Sequence, residues 1–101
     1  MKESALCPRL AKAMELIGKR WTALIIYQLL NGPQRFNAIE SALPISGRLL
    51  SERLKELEKE NIVERKVYSE VPIRVEYSLT EKGSSLEGAV REIETWAHKW
   101  I

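Results

Sequence analysis

Between Ser46 and Asn61 the chain reads SGRLLSERLKELEKEN, a stretch that carries Arg48, Arg53, Lys55 and Lys59. The planar fork of arginine can donate two parallel hydrogen bonds to a guanine edge or to a phosphate, while lysine offers a mobile point charge. Ser46, Gly47 and Ser51 lie near the same end. Two more cations, Lys66 and Arg74, fall in a later stretch of alternating polar and apolar residues.

A second kind of chemistry is open to Cys7, which precedes Pro8 and Arg9 and lies within a turn of Lys12. At a helix N-terminus, the partial positive charge of the backbone and the flanking cations favour a negatively charged sulfur, the form that electrophiles attack. The plain alternative is a small apolar residue with no redox work. One cysteine excludes an internal disulfide, and with it a disulfide-stapled secreted fold. With one Cys and one His, His98, there is no metal cluster and no cofactor is expected. His98 reads as a cationic residue near a helix C-terminus. A thiol enzyme using Cys7 and His98 would lack both a nucleophile signature and a carboxylate to orient the base, so no catalytic residues are assigned.

These groups need elements to position them. Ser46 is a good N-cap after Pro44, and Leu50, Leu54 and Leu57 recur at helical spacing, so one narrow stripe faces a core. The opposite side carries Arg48, Glu52, Lys55 and Lys59. Taken alone this is also the pattern of an ordinary amphipathic surface helix, and the neighbouring segments decide. Pro8 to Gly18 predicts a helix with Leu10, Ala13, Met14 and Ile17 on one face. Trp21 to Leu30 is apolar nearly all round and predicts the central buried helix, stopped by Asn31, Gly32 and Pro33. Arg35 to Leu43 places Phe36, Ile39 and Leu43 at helical spacing, and Pro44 and Ile45 join it tightly to the Ser46 helix, as in a helix-turn-helix.

After Asn61 the period changes from 3.6 to 2. Ile73, Val75, Tyr77 and Leu79 alternate with polar residues and predict a strand with one buried face, paired with Ile62 to Tyr68 across a short tip at Ser69 to Pro72. Thr80 caps a last helix, with Glu81 in its first turn. Leu86, Val90, Ile93, Ala97 and Trp100 form its stripe. Such a helix has more apolar side than so small a domain can cover, which predicts a second subunit; the alternative is that it folds back on the first helix. Trp21, Trp96 and Trp100 read as core or dimer packing rather than a base-stacking platform.

The bulk numbers agree with one domain over 1–101, divided into a reading helix (46–61), a hairpin (62–79) and a dimerisation helix (80–101). The 101 residues, 45% hydrophobic and 30% charged, exclude a disordered chain. No segment is apolar for long enough to span a bilayer, and MKESALCPRL lacks the apolar core of a signal peptide, so a cytoplasmic protein is expected. The net charge of +2 is a weak pointer, but residues 1–35 hold six Lys and Arg against two Glu. Pairing two copies would double the field that attracts a polyanion.

The order α-α-α-α-β-β-α, mainly helical with a small β-hairpin, is that of a winged helix-turn-helix domain, in which one helix reads base edges and the hairpin grips phosphate or the minor groove. On that model Ser46, Gly47, Arg48 and Ser51 lie nearest the bases, with Arg48 the leading base reader. Arg53, Lys55, Lys66 and Arg74 become phosphate anchors, although Arg53 flanks the apolar stripe and could instead pair with Glu56 or Glu58.

The runs CP (7–8), IGKRW (17–21), RFNAIE (35–40), LPIS (43–46), LSERLKELEKEN (50–61) and YSEVPIRVEYSLTEKG (68–83) together resemble the HxlR-type winged helix-turn-helix transcription regulators, a branch near the MarR-type proteins. The likeness covers nearly the whole chain, and the hairpin run is its most specific part. Asn61 stands where glycine is expected and Ile73 where proline or a similar residue is usual; asparagine tolerates the left-handed backbone, so the first change is mild. The resemblance implies a homodimer joined through the first and last helices, bound to a pseudopalindromic double-stranded DNA operator. It also implies, for some relatives, sensing of electrophiles or oxidants through the cysteine that matches Cys7. Leu10, Leu86, Val90, Ile93, Ala97 and Trp100 are the expected dimer contacts. The reading is of a regulator, a repressor, with no membrane partner; the rival is a winged helix that docks an acidic protein.

Overall fold

In the computed structural model, which describes residues 7–101, Cys7 caps α1 (Pro8–Ile17), with Pro8 at the first helical position, where its missing N–H costs nothing. Trp21, in a left-handed conformation (φ 80°), turns the chain into α2 (Thr22–Leu29), and α3 (Phe36–Ala42) follows after Pro33. Ser46 then opens α4 (Gly47–Lys59) with its hydroxyl accepting from the Leu49 amide at 3.2 Å. The strands β1 (Val63–Tyr68) and β2 (Arg74–Leu79) pair antiparallel in the register Val63 with Leu79 through Tyr68 with Arg74. After Thr80 come a single helical turn, α5 (Glu81–Ser84), and α6 (Glu87–Trp100).

The core sits where α2, α3 and α4 converge on the base of the hairpin. Ile25, Ile26 and Leu29 of α2 meet Ile39 of α3, the Leu50, Leu54 and Leu57 stripe of α4, and Ile45, Ile62 and Val63 from the connections. Each such aliphatic side chain contributes roughly 1.5–3 kcal/mol by leaving water, so this cluster fixes α4 and leaves its far side free. Asn61 does adopt the left-handed conformation (φ 61°) that lets β1 start directly after α4. A bridge between Gln34 and Tyr77, with backbone bonds of 2.9 and 2.8 Å, adds a third edge to the hairpin that its alternating pattern does not announce.

Several expectations need correction. The helix expected over 80–101 is two: Gly83 lies against the Ile62 carbonyl, where a Cβ would come within 2.1 Å of the oxygen, and this close packing pins α5 before α6 departs. The expected buried face of the second strand is absent: all six residues of β2 are half-buried, and Ile73 precedes the strand and is 69% exposed, since pairing begins at Arg74. Leu24 on α2, the helix expected to be buried, is half exposed. Leu86 and Val90, expected among the dimer contacts, rest half-buried on this chain's own core. By contrast α1 and α6 contain no buried residue, and Leu10, Met14, Ile93, Trp96, Trp100 and Ile101 are all exposed. The described molecule measures 57 × 30 × 25 Å.

Candidate DNA-reading face and thiol

With the leucine stripe of α4 buried, Arg48, Lys55 and Lys59 stand in solvent on the opposite side. The Arg48 side chain is 91% exposed, and its ion pair with Glu52 at 3.6 Å is a solvated contact one turn away that a stronger partner can displace. Lys55 is likewise exposed and Ser51 half-buried. The Ser46 hydroxyl is engaged as a cap. Gly47 lies beside α3, where a Cβ would meet the mobile end of the Glu40 side chain at 2.7 Å and the Phe36 ring at 3.8 Å.

Other expected anchors are tied down. Arg53 is not open to a phosphate: its Nε donates to the Arg20 carbonyl at 3.1 Å, its guanidinium meets Glu56 at 3.4 Å, and the side chain is 17% exposed. Arg74 is held inside the hairpin by Glu70 at 2.8 Å and Glu76 at 2.5 Å, with its guanidinium 3.8 Å over the Tyr68 ring. The hydrogen bonds of Glu70 chiefly, and then those of Glu76, stabilise the Arg74 cation. In return the Arg74 hydrogen bonds hold the Glu70 carboxyl below its ordinary range, helped by the nearby charge of Arg35. Lys66 pairs loosely with Glu64 at 3.7 Å and remains largely exposed.

Arg35 was missed as a candidate. It stands exposed at the start of α3 and is close enough to the hairpin tip for its charge to act on Glu70. Its place at the opening of the first helix of a helix-turn-helix, the one that crosses the DNA backbone, was the available signal.

At the other end of the chain Cys7 is exposed, and its Sγ accepts from the Leu10 amide at 3.4 Å. The two residues that follow it, Pro8 and Arg9, help to line a groove of about 1030 Å³ between α1 and α5, floored by Ala13, Leu16, Ile62 and Leu86. His98 lies in the last turn of α6. Among the described residues no group of three or more His, Cys, Asp and Glu could hold a metal ion, and no helix is long and apolar enough to cross a membrane.

An HxlR-like helix-turn-helix family model matches residues 16–101. The chain belongs to this family. The HxlR-like chain is 58% identical over 102 residues to the HTH-type transcriptional regulator YvaP of Bacillus subtilis, a match that covers 100% of this chain and 94% of YvaP. Among solved structures it resembles quinone-bound YodB of B. subtilis, with a TM-score of 0.81 and 46% identity, over 94% of this chain and all of that one. It also resembles the redox regulator HypR in its oxidised form, with a TM-score of 0.86 and 39% identity over 92% of this chain and 96% of HypR. The winged helix-turn-helix architecture and the membership read from the sequence therefore stand.

Proposed function

We propose that this HxlR-like transcription regulator acts in the cytoplasm as a homodimeric repressor on a pseudopalindromic operator, and that its affinity responds to electrophiles or oxidants at Cys7. The observation that carries the DNA reading is the open cationic face of α4, Arg48 with Lys55 and Lys59, on a helix whose opposite stripe is fully buried. Arg48 meets a base edge, Lys55 and Lys59 phosphates, and Arg35 and Lys66 the flanking backbone. The exposed stripe of α1 and α6 supports pairing of two copies, which would set two reading helices about 34 Å apart, one turn of the duplex. The capping thiol supports the sensing role, as does the likeness to a quinone-bound and an oxidised relative. In this reading the chain catalyses nothing: Cys7 is a target of attack.

Selection of bound sequences from a random duplex pool, followed by titration at rising salt, tests the proposal. The expected result is a two-fold related site whose affinity falls steadily with salt. Binding that unrelated duplex removes as readily as the selected one would instead favour the protein-docking module.

A further inference from the structure

Arg53 and Glu56 lie outside the open face of α4. At 100° per residue they stand roughly 70° and 130° from the centre of the leucine stripe, on one flank of the helix. That flank meets the turn between α1 and α2. One carboxylate oxygen of Glu56 lies 3.4 Å from the Arg53 guanidinium and 3.3 Å from Nζ of Lys19, while Arg53 Nε donates to the Arg20 carbonyl at 3.1 Å. Two consecutive residues of the turn, one by side chain and one by backbone, are thus fastened to the middle of the reading helix.

The other end of α1 is the thiol. Ten residues at 1.5 Å each make α1 a rod of about 15 Å, capped by Cys7 at one end and ending at this turn at the other. The rod has no buried residue and rests on the body through Leu16. A change at the Cys7 end that moves this rod is carried along it to Lys19 and Arg20. The leucine stripe holds α4 in the core, and the Arg53–Glu56 contacts fasten its flank to the turn.

We propose that Arg53 and Glu56 are positioning residues that register α4 against the α1–α2 turn, and that through them modification of Cys7 changes the presentation of Arg48 and Lys55 to DNA. The inference rests on the thiol-sensing reading above and names its route. N-ethylmaleimide serves as the probe: the sulfur adds across the ring double bond, an S–C bond forms as the C=C π bond breaks, and the thiol proton ends on the adjacent ring carbon.

Affinity for the selected operator is measured for the natural chain, Glu56→Gln and Lys19→Gln, each before and after alkylation. The natural chain is expected to lose at least tenfold on alkylation. Each variant's loss is read against its own unmodified affinity, and both are expected to lose less than threefold on alkylation. A tenfold loss retained by the variants overturns this inference and leaves thiol sensing standing; a natural chain indifferent to alkylation overturns both. Should Glu56→Gln fail to fold by circular dichroism, Lys19→Gln, which leaves α4 untouched, decides the matter alone.

Discussion

The Tyr27 hydroxyl of α2 donates to Glu94 of α6 at 2.5 Å, with Arg91 of α6 stacked 5.4 Å over the Tyr27 ring. Alongside Val90, which rests half-buried on the core, this polar contact fastens the terminal helix to α2. The Tyr27 hydrogen bond, followed by Arg91, holds the Glu94 carboxyl below its usual 4.5, while the same bond and the Glu94 charge raise the Tyr27 phenol above 10.0.

The pH dependence of that contact follows from both signs. The stabilisation from Glu94 is complete above its unfolded value and is lost as pH falls through the lowered folded one; that from Tyr27 is complete below pH 10 and lost as pH rises through the raised one. The protection of α6 amides, taken relative to their intrinsic exchange rate at each pH, is expected to stay flat between these limits and to fall beyond either. Tyr27→Phe is expected to show the faster exchange at neutral pH, and a flat profile at acid pH in the natural chain would count against the contact.

Arg48→Ala is expected to weaken operator binding by about 1–3 kcal/mol and to relax preference at one base pair, whereas Lys55→Ala should weaken all sequences alike and lower the salt slope by about one. Competition binding with single-base operator variants separates the two. Uniform weakening by Arg48→Ala would reassign it to phosphate.

The exposed flank of α6 yields a third test. Ile93, Trp96 and Trp100 are 60%, 58% and 67% exposed, so Trp96→Glu removes little that the single chain needs for folding. Analytical ultracentrifugation is expected to find the natural chain dimeric and the variant monomeric, with operator affinity down at least tenfold. A variant that stays dimeric would place the subunit contact elsewhere.

Gly83→Ala is expected to destabilise the chain by about 1–3 kcal/mol, since the new methyl would meet the Ile62 carbonyl. Thermal unfolding followed by circular dichroism should show a drop of roughly 4–8 °C per kcal/mol for a domain of this size. An unchanged melting temperature would mean that α5 can shift away from β1.

The parts of this fold legible in the residues are those governed by local period and capping. Leu50, Leu54 and Leu57 announce α4, the Val75, Tyr77 and Leu79 alternation announces β2, and Ser46, Thr80 and Asn61 occupy the cap and turn positions that their side chains favour. What stayed hidden depends on neighbours distant in the chain. Arg74 is neutralised only because the hairpin brings Tyr68 and Glu70 around it, and the bond from Arg53 to the Arg20 carbonyl, unlike its pairing with Glu56, has no trace in the spacing. The split between α5 and α6 likewise needs the approach of Gly83 to Ile62, which no helical period encodes.

Trp21 makes the α1–α2 turn with a left-handed backbone that a side chain with a Cβ adopts only under constraint, while its indole rests on the core and beneath Arg20 at 4.9 Å. Such a residue holds about 1–3 kcal/mol of backbone strain, which the surrounding packing must outweigh. Glycine at 21 would relax the backbone and forfeit the ring, so the turn trades local comfort for a bulky wedge that keeps the first helix from swinging free of the second.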